Sequence, residues 1–209
     1  SSYNYQGIKY GVVGGIEYPG LNEIDAWHLN PNQTINYVTA HDNNTLYDKL
    51  KLTNVKSSEI EAMQIQANAI ILTSQGIPFI HAGADFMRSK PDGEGGFDHN
   101  SYESPDSVNQ LRWDRKLKYN HVFEYYKTLI EIRLKYPHFR MNDANQILDS
   151  IEFLDTDANL QALAYKITAP NAPDIIVIHS GNPEFVLTSV TLDAGISYNV
   201  LTNTVGANI

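Results

Sequence analysis

A histidine and an aspartate stand side by side at the end of a run of strand-forming residues. Residues 34–39 are rich in β-branched and aromatic side chains, which favour a buried strand. The run leads into four consecutive polar residues, His41, Asp42, Asn43 and Asn44, which cannot all be buried without partners. A strand that delivers an imidazole and a carboxylate to its C-terminal end is typical of catalytic sites in α/β barrels. A simple Asx-rich turn explains the same four residues, so the neighbouring elements must decide.

The elements around this turn predict two parallel strands joined by a helix. The helix is predicted over residues 58–75, because apolar side chains recur on one face and Ser58 with Glu61 forms a capping-box pattern. A second short, buried strand is predicted at residues 77–80, and it runs into another polar stretch that begins at His81. A strand–helix–strand unit implies parallel strands. We therefore expect both polar stretches to lie at the same edge of the sheet.

The rest of the chain shows three further patterns. Residues 1–33 have no helix or strand signature and are predicted to be loop. Residues 82–115 are predicted to be a long irregular connection, of a length that is usually functional or disordered. A helix is predicted over residues 122–136, closed by Pro137. Beyond it, five short β-prone runs separated by turn residues are typical of an antiparallel β-sandwich, namely residues 151–154, 160–168, 174–179, 185–192 and 198–201.

Together these patterns predict an α/β part followed by an all-β part. The expected domains are residues 1–140 and residues 141–209. A closed eight-stranded barrel needs roughly 250 residues, and a sandwich of this kind needs about seven strands. Because the chain offers two barrel-type strands and five sandwich-type runs, we expect it to be truncated at both ends. The missing N-terminal part of the same protein is then an expected partner.

The composition excludes several classes of function. The 209 residues carry 24 acidic and 15 basic side chains, a net charge of −9, without a dense basic run. This argues against nucleic-acid binding, which needs a clustered basic surface. No apolar run approaches the roughly 18–20 residues that span a bilayer, so no membrane partner is predicted. The absence of cysteine excludes disulfides, thiol nucleophiles and cysteine-ligated zinc.

Four motifs follow one another along the chain. They are Gly11-Val-Val-Gly-Gly-Ile16, Tyr37-Val-Thr-Ala-His-Asp-Asn43, Gln75-Gly-Ile-Pro-Phe-Ile-His-Ala-Gly83 and Asn100-Ser-Tyr-Glu-Ser-Pro-Asp-Ser-Val-Asn-Gln110. In this order they resemble type I pullulanases, bacterial α-1,6-glucan debranching enzymes of the α-amylase superfamily. The resemblance covers nearly the whole chain up to Arg140, and the β-rich remainder fits the family's C-terminal β-domain. It implies that residues 34–39 and 77–80 are strands seven and eight of a TIM (β/α)8 barrel.

The resemblance also implies a chemistry. It is the retaining hydrolysis of α-1,6-glucosidic branch linkages in pullulan, starch or glycogen, with two carboxyl groups as nucleophile and acid/base. In this family those groups follow strands four and five, which this chain does not contain, so we expect the chain to be inactive alone. Asp42 resembles the third acid of the family, which hydrogen-bonds the sugar at the cleaved bond and stabilises the transition state. His41 resembles the neighbour that donates to the same sugar.

Further substrate contacts are implied in the loop after strand eight. Arg88 and Asp106 resemble a base and an acid that hold a sugar farther toward the non-reducing end. Asn100 and Tyr102 are predicted to line the same groove for the α-glucan. A role in stabilising the loop explains these four residues equally well. His81 is expected to lie inside the barrel, bonded to a neighbour.

Two alternatives stay open at this point. Another enzyme of the superfamily, such as an isoamylase or a branching enzyme, is disfavoured by the motif at residues 102–109. A non-catalytic carbohydrate-binding or metal-binding module would use His41, Asp42, Asp85, Asp98 and His99, whose spacing matches no zinc or EF-hand loop. The chemistry requires no cofactor and no metal ligand set is legible, although the resemblance allows a structural calcium ion in the parent enzyme. We expect an extracellular or cell-surface bacterial protein, with a cytoplasmic location as the alternative, because the family includes both kinds.

Overall fold

The structure is a computed structural model that describes residues 2–22, 25–156, 161–181 and 195–202. Within these ranges the regular elements are α1 (Ser2–Val12), β1 (Ile35–Asn36), α2 (Leu46–Lys51), α3 (Ile60–Thr73), β2 (Ile77–Pro78), α4 (Asp106–Asn109), α5 (Trp113–Lys118), α6 (Asn120–Lys135), α7 (Ala144–Ser150), β3 (Ile151–Leu154), β4 (Ala162–Ala169) and β5 (Ala172–Ser180). Short 3-10 helices lie at Pro31–Gln33, Ala84–Phe86, Ser101–Glu103 and Pro137–Phe139. The described chain is a mixed helix–sheet structure.

The two strands that precede the polar stretches are parallel neighbours. Ile35 pairs with Ile77, and Asn36 pairs with Pro78. Because α3 connects these strands in sequence, the predicted strand–helix–strand unit is confirmed. The strands are shorter than predicted, and the prediction that they are buried is wrong: Ile35 and Ile77 are 59% and 47% exposed, since the described residues leave one face of the pair uncovered. The TIM barrel itself stays a prediction.

The N-terminal segment forms a helix where a loop is predicted. Gly7 and Gly11 lie inside α1, and glycine disfavours a helix by up to about 1 kcal/mol relative to alanine. Tyr10 and Val12 nevertheless pack into the main hydrophobic core, and the Tyr10 hydroxyl donates to the Leu21 carbonyl. Tertiary packing therefore outweighs the low helix propensity of this segment.

The helices after β1 follow the prediction more closely. α3 and α6 lie within about two residues of the predicted limits. The predicted capping box is wrong, because α3 begins only at Ile60, a buried residue, and no side chain caps its start. The connection after residue 82 is less irregular than predicted, since α4 and α5 form within it. None of the described helices is long and apolar enough to cross a membrane.

The C-terminal part described here is one antiparallel sheet in the order β3–β4–β5. Three of the five predicted β runs are therefore confirmed. The run at residues 185–192 lies outside the described residues. The run at residues 198–201 forms no strand, and its prediction is wrong because no neighbouring strand among the described residues pairs with it. A second sheet, and hence a β-sandwich, stays a prediction.

One hydrophobic core spans the predicted domain boundary. It combines residues of α1 and the segment after it, residues between α6 and the sheet, and residues of the sheet itself. They are Tyr10, Val12, Val13, Ile16, Leu21, Phe139, Met141, Ile147, Ile151, Leu163, Tyr165, Ile167, Ile175 and Val177. α1 therefore packs on the antiparallel sheet. The boundary between residues 140 and 141 stays a prediction.

The C-terminal end of α3 is held by a buried arginine. Arg133 of α6 is 6% exposed, and its guanidinium donates to the carbonyls of Leu72, Ser74 and Gly76 over 2.6–2.9 Å. These bonds satisfy acceptors that a helix end leaves without intrahelical partners. Burial lowers the pKa of Arg133 to about 10, and the charge of Arg140 adds to the effect. Arg133 therefore fixes the turn that leads from α3 into β2.

The antiparallel sheet contacts the same end of α3. The Tyr165 hydroxyl donates to the Thr73 carbonyl over 3.1 Å, and His179 Nε2 lies 3.0 Å from Thr73 Oγ1. Gln75 is fully buried; its Nε2 donates to the His138 carbonyl over 2.7 Å and its Oε1 accepts from the Met141 N–H over 2.9 Å. The position of β2 is thus tied to the C-terminal sheet.

Candidate active site

The predicted pair His41–Asp42 lies in an exposed turn beyond β1. The Asn43 N–H donates to Asp42 Oδ1 over 3.2 Å, and the Asn44 N–H donates to Asn43 Oδ1 over 2.9 Å. Asn43 has a φ of +66°, in the left-handed region that asparagine tolerates better than most residues. The side chains of His41 and Asp42 are both exposed. The turn is therefore Asx-rich and also leaves an imidazole and a carboxylate accessible to a ligand.

Helix α2 starts immediately after this turn and carries a buried carboxylate. Thr45 Oγ1 accepts from the Asp48 N–H over 3.2 Å and so caps the helix. The Asp48 carboxylate is fully buried and accepts from the Ser89 hydroxyl over 2.6 Å and from the Lys90 N–H over 2.8 Å. Asp48 thus joins α2 to the segment after β2. No role is predicted for Asp48 from the sequence, although the Thr45-x-x-Asp48 spacing of a helix start is a usable signal.

A buried lysine joins the turn to the long loop. Lys90 is 1% exposed. Its ammonium donates to the His41 carbonyl over 3.2 Å and to the Ser101 hydroxyl over 3.0 Å. From the sequence, Lys90 is predicted only to be one of the polar residues of the loop at residues 82–115, because nothing local distinguishes a buried lysine from a solvated one.

The charges around Lys90 form a mixed cluster. Burial lowers the pKa of Lys90, and the positive charge of Arg88 lowers it further, while three carboxylates raise it, those of Asp98, Asp48 and Asp42. The pKa of His81 falls to about 4, first because of burial and then because of Arg88, Lys90 and His41. His81 is therefore uncharged at neutral pH.

The loop that carries the other predicted contacts is built on polar bonds. Asp98 accepts from the Asn100 N–H over 2.9 Å and from the Ser104 hydroxyl. These hydrogen bonds, that of Ser104 first, lower the pKa of Asp98. Asn109 Nδ2 donates to the carbonyls of Ser101 and Ser104 over 2.6 and 3.0 Å. The loop is thereby ordered, and it exposes the side chains of Asn100, Tyr102 and Asp106.

Arg88 directs its donors into the protein. Its Nη2 donates to the Asn109 carbonyl over 2.7 Å, and its Nη1 donates to the Ala82 carbonyl over 3.3 Å. Nη1 also lies 3.1 Å from His81 Nε2, which confirms that His81 is bonded to a neighbour. The buried Nε has no hydrogen-bond partner among the described residues. Arg88 therefore fixes the loop, and its contact with a sugar stays a prediction.

Hydrogen bonds thus connect five residues of the site in one series: His41, Lys90, Ser101, Asn109 and Arg88. Asp42 belongs to the turn at one end of this series. Asp106 and Tyr102 lie on the loop in its middle. The structure therefore brings the predicted segments together.

His81 also lines a cleft. It has a volume of about 490 Å³ and is lined mainly by apolar side chains between the end of β2 and α6, with Asp85 at its edge. Burial raises the pKa of Asp85. Neither His41 nor Asp42 lines this cleft. In the described part of the chain, no three acidic or histidine side chains are grouped so that they could hold a metal ion.

Comparisons with known proteins agree with the resemblance noted in the sequence. No protein-family model matches the chain. A pullulanase of Bacillus subtilis strain 168 is 37% identical over 187 residues, which cover 87% of this chain and 25% of that protein. The chloroplastic pullulanase 1 of Arabidopsis thaliana is 38% identical over 135 residues, covering 60% of this chain and 14% of the relative. The chain thus spans a quarter or less of the length of these relatives.

Solved structures give the same result. The type I pullulanase of B. subtilis strain 168, crystallised with maltose, superposes with a TM-score of 0.75 at 35% identity over 86% of this chain and 25% of that one. The pullulanase of Paenibacillus barengoltzii in complex with maltohexaose and α-cyclodextrin superposes with a TM-score of 0.70 at 39% identity, over 78% of this chain and 24% of that one. By sequence and by fold, the chain belongs with the type I pullulanases, as the homologue of a segment about a quarter of their length.

Proposed function

We propose that this chain forms one wall of the active site of a glycoside hydrolase that cleaves α-1,6-glucosidic branch linkages in pullulan, starch or glycogen. The observation that carries the proposal is the exposed His41–Asp42 pair on a turn whose backbone is held by buried Lys90. Relatives named pullulanase, two of them solved with maltose or maltohexaose, support an α-glucan as substrate. The remainder of the active site belongs to the longer protein.

The proposed mechanism is retaining hydrolysis through an oxocarbenium-like transition state. Asp42 accepts hydrogen bonds from hydroxyls of the sugar at the cleaved bond, and the negative carboxylate favours the positively charged transition state over the ground state. Hydrogen bonds to charged groups contribute about 1.5–3 kcal/mol each. His41 donates to the same sugar. The nucleophile and the acid/base carboxyl groups come from segments outside this chain, so Asp42 assists the reaction without forming or breaking the glycosidic bond.

The loop after β2 is proposed to bind the neighbouring sugars. Tyr102 is 79% exposed, and a free aromatic ring of this kind suits stacking on a sugar face. Asn100 and Asp106 supply hydrogen-bonding groups on the same loop. Arg88 is proposed to serve the same sugars by holding Asn109 in place, since its Nη2 donates to the Asn109 carbonyl over 2.7 Å.

The proposal includes a fold for the longer protein. β1 and β2 are strands seven and eight of a TIM (β/α)8 barrel, and β3–β5 belong to a C-terminal β-sandwich. The exposed apolar side chains on the strand pair, among them Ile35 and Phe79, are then covered by the N-terminal part of the same protein. The proposed location is extracellular or at the bacterial cell surface.

The test is Asp42→Asn in the full-length protein that contains this chain, assayed by the release of reducing ends from pullulan. We expect kcat to fall by at least about 100-fold, with KM changed by less than about fivefold, because the lost interaction acts mainly in the transition state. The matched control is Asp149→Asn, an exposed carboxylate on α7, which should leave both constants unchanged. An Asp42→Asn enzyme with kcat/KM within about threefold of the parent would refute the assigned role. Pullulan binding without any turnover by the unmodified protein would favour a non-catalytic carbohydrate-binding module.

A further inference from the structure

We infer that Lys90 is a positioning residue for the His41–Asp42 turn: its buried ammonium fixes the peptide group that carries Asp42. The inference rests on the proposed function of Asp42, and it assigns a role to a residue that does not touch the substrate. Lys90 follows β2, whereas the turn follows β1, so this contact connects the ends of two neighbouring strands. The Asp48 carboxylate adds a second connection between these segments, since it accepts from the Ser89 hydroxyl and the Lys90 backbone N–H.

The geometry of the contact explains how it acts. Lys90 Nζ donates to the carbonyl oxygen of His41, and this oxygen belongs to the same planar peptide group as the backbone nitrogen of Asp42. Holding that oxygen restricts the rotation of the peptide group, and with it the position of the Asp42 Cα from which the side chain extends. A displacement of a catalytic group by about 1 Å can reduce a rate about 100-fold. The position of one carbonyl oxygen is therefore relevant to catalysis.

The turn has little else to hold it. Among the described residues, the hydrogen bonds of its side chains join sequence neighbours, Asp42 to Asn43 and Asn43 to Asn44. Asn43 is in the left-handed region, which is a less favourable backbone conformation for a residue with a side chain. Bonds within the turn keep its local shape but do not fix its position relative to the loop at residues 98–109. Lys90 supplies this connection, because its second acceptor is Ser101 on that loop.

The burial of Lys90 argues against a role in packing alone. Lysine is almost never fully buried unless it is paired, and an apolar side chain of similar volume fills such a space at a smaller desolvation cost. Lys90 is 1% exposed, although burial and the charge of Arg88 both disfavour its charged form. What the ammonium adds over an apolar side chain is a set of directed N–H donors, and their two acceptors are His41 and Ser101.

The experiment is a double-mutant cycle in the full-length protein, with Lys90→Met, Asp42→Asn and the double variant assayed on pullulan. Methionine matches the lysine side chain as far as Cε and leaves the backbone N–H of residue 90 in place for Asp48. We expect Lys90→Met to lower kcat about 10- to 100-fold with little change in KM. In the Asp42→Asn background the same substitution should lower kcat by less than about threefold, because a positioning residue has no effect once the group it positions is removed.

The control is Lys49→Met, which removes a positive charge from an exposed position on α2 and should leave kcat unchanged. All variants are assayed well below the midpoint of their thermal unfolding, so that a loss of stability does not count as a loss of rate. If Lys90→Met does not fold, Lys90→Gln is used under the same criteria. An equal loss of rate in both backgrounds, or a kcat of the single variant within about threefold of the parent, overturns the inference. Failure of the proposed function is distinguishable, because Asp42→Asn alone would then retain full activity.

Discussion

Acid should destabilise the joint between α3 and the C-terminal sheet through one buried histidine. His179 is 9% exposed, and burial lowers its pKa to about 4, compared with about 6.5 for an exposed histidine. The Thr73 hydroxyl donates to the Ala69 carbonyl over 2.8 Å, so it must accept from His179 Nε2–H, which assigns the neutral tautomer. Protonation adds a charge at a site that has no room for its hydration.

The sign and size of the effect follow from the two pKa values. Since the unfolded chain binds the proton more readily, the stabilising contribution is complete above about pH 6.5 and is lost as the pH falls toward about 4. At pH 5 the difference in proton binding corresponds to about 2 kcal/mol in the free energy of unfolding, and the maximal loss is about 3 kcal/mol. His81, whose pKa also falls to about 4, adds a loss of the same sign.

The contribution of His179 is isolated by His179→Gln, which keeps an N–H donor for Thr73 but does not titrate. Urea unfolding is measured at about pH 7.5 and at pH 5. Between these two values the free energy of unfolding should fall by about 2 kcal/mol less in the variant than in the parent. His99→Gln is the control, because it removes a histidine whose side chain is exposed. Equal acid losses in the parent and in His179→Gln would refute the reasoning, as would an NMR titration that places the pKa of His179 above 6.

Two further substitutions test the supports of the site. Arg133→Met should lower the free energy of unfolding by about 3 kcal/mol or more, because it leaves three buried carbonyls without their donor; urea unfolding measures this, and a loss below about 1 kcal/mol would contradict it. Thr45→Ala should lower the free energy of unfolding by about 1 kcal/mol, because it removes the cap of α2, whereas Thr45→Ser should retain most of the stability. Equal stabilities of the two variants would argue against the capping role.

Local patterns in the sequence predict the elements that position the site. The apolar periodicity of residues 58–75 and 122–136 predicts α3 and α6, and the turn residues that separate the β-prone runs predict the sheet. Helix α1 is not predictable in this way, because its two glycines lower the local propensity and only the distant core stabilises it. The same limit applies to residues 198–201, whose β-branched and aromatic side chains form a strand only if a neighbour pairs with them.

The residues of the candidate site likewise fall into those that the sequence predicts and those that only the structure reveals. His41 and Asp42 are predictable because chemically distinctive side chains occur together at the end of a strand. Lys90 and Asp48 are not, because their importance arises from burial and from contacts across more than 40 residues. For Arg88 the sequence indicates a polar loop residue, and only the structure shows that two of its nitrogens donate to carbonyls of the protein. Sequence patterns identify the groups that face a ligand better than those that hold them.

Several buried polar side chains bind main-chain atoms, and this affects how much the sequence can change while the fold is kept. Among the described residues, Arg133 donates only to main-chain oxygens and the side chain of Gln75 binds only main-chain atoms. Lys90 likewise binds the main-chain oxygen of His41. Every residue except proline offers the same carbonyl and N–H groups, so these bonds do not depend on which side chains stand at positions 72, 138 and 141. Position 76 is different, because Gly76 has a φ of +86° and a side chain there would press on the Thr34 carbonyl oxygen. A few long polar side chains can therefore hold the scaffold constant while the surrounding sequence drifts.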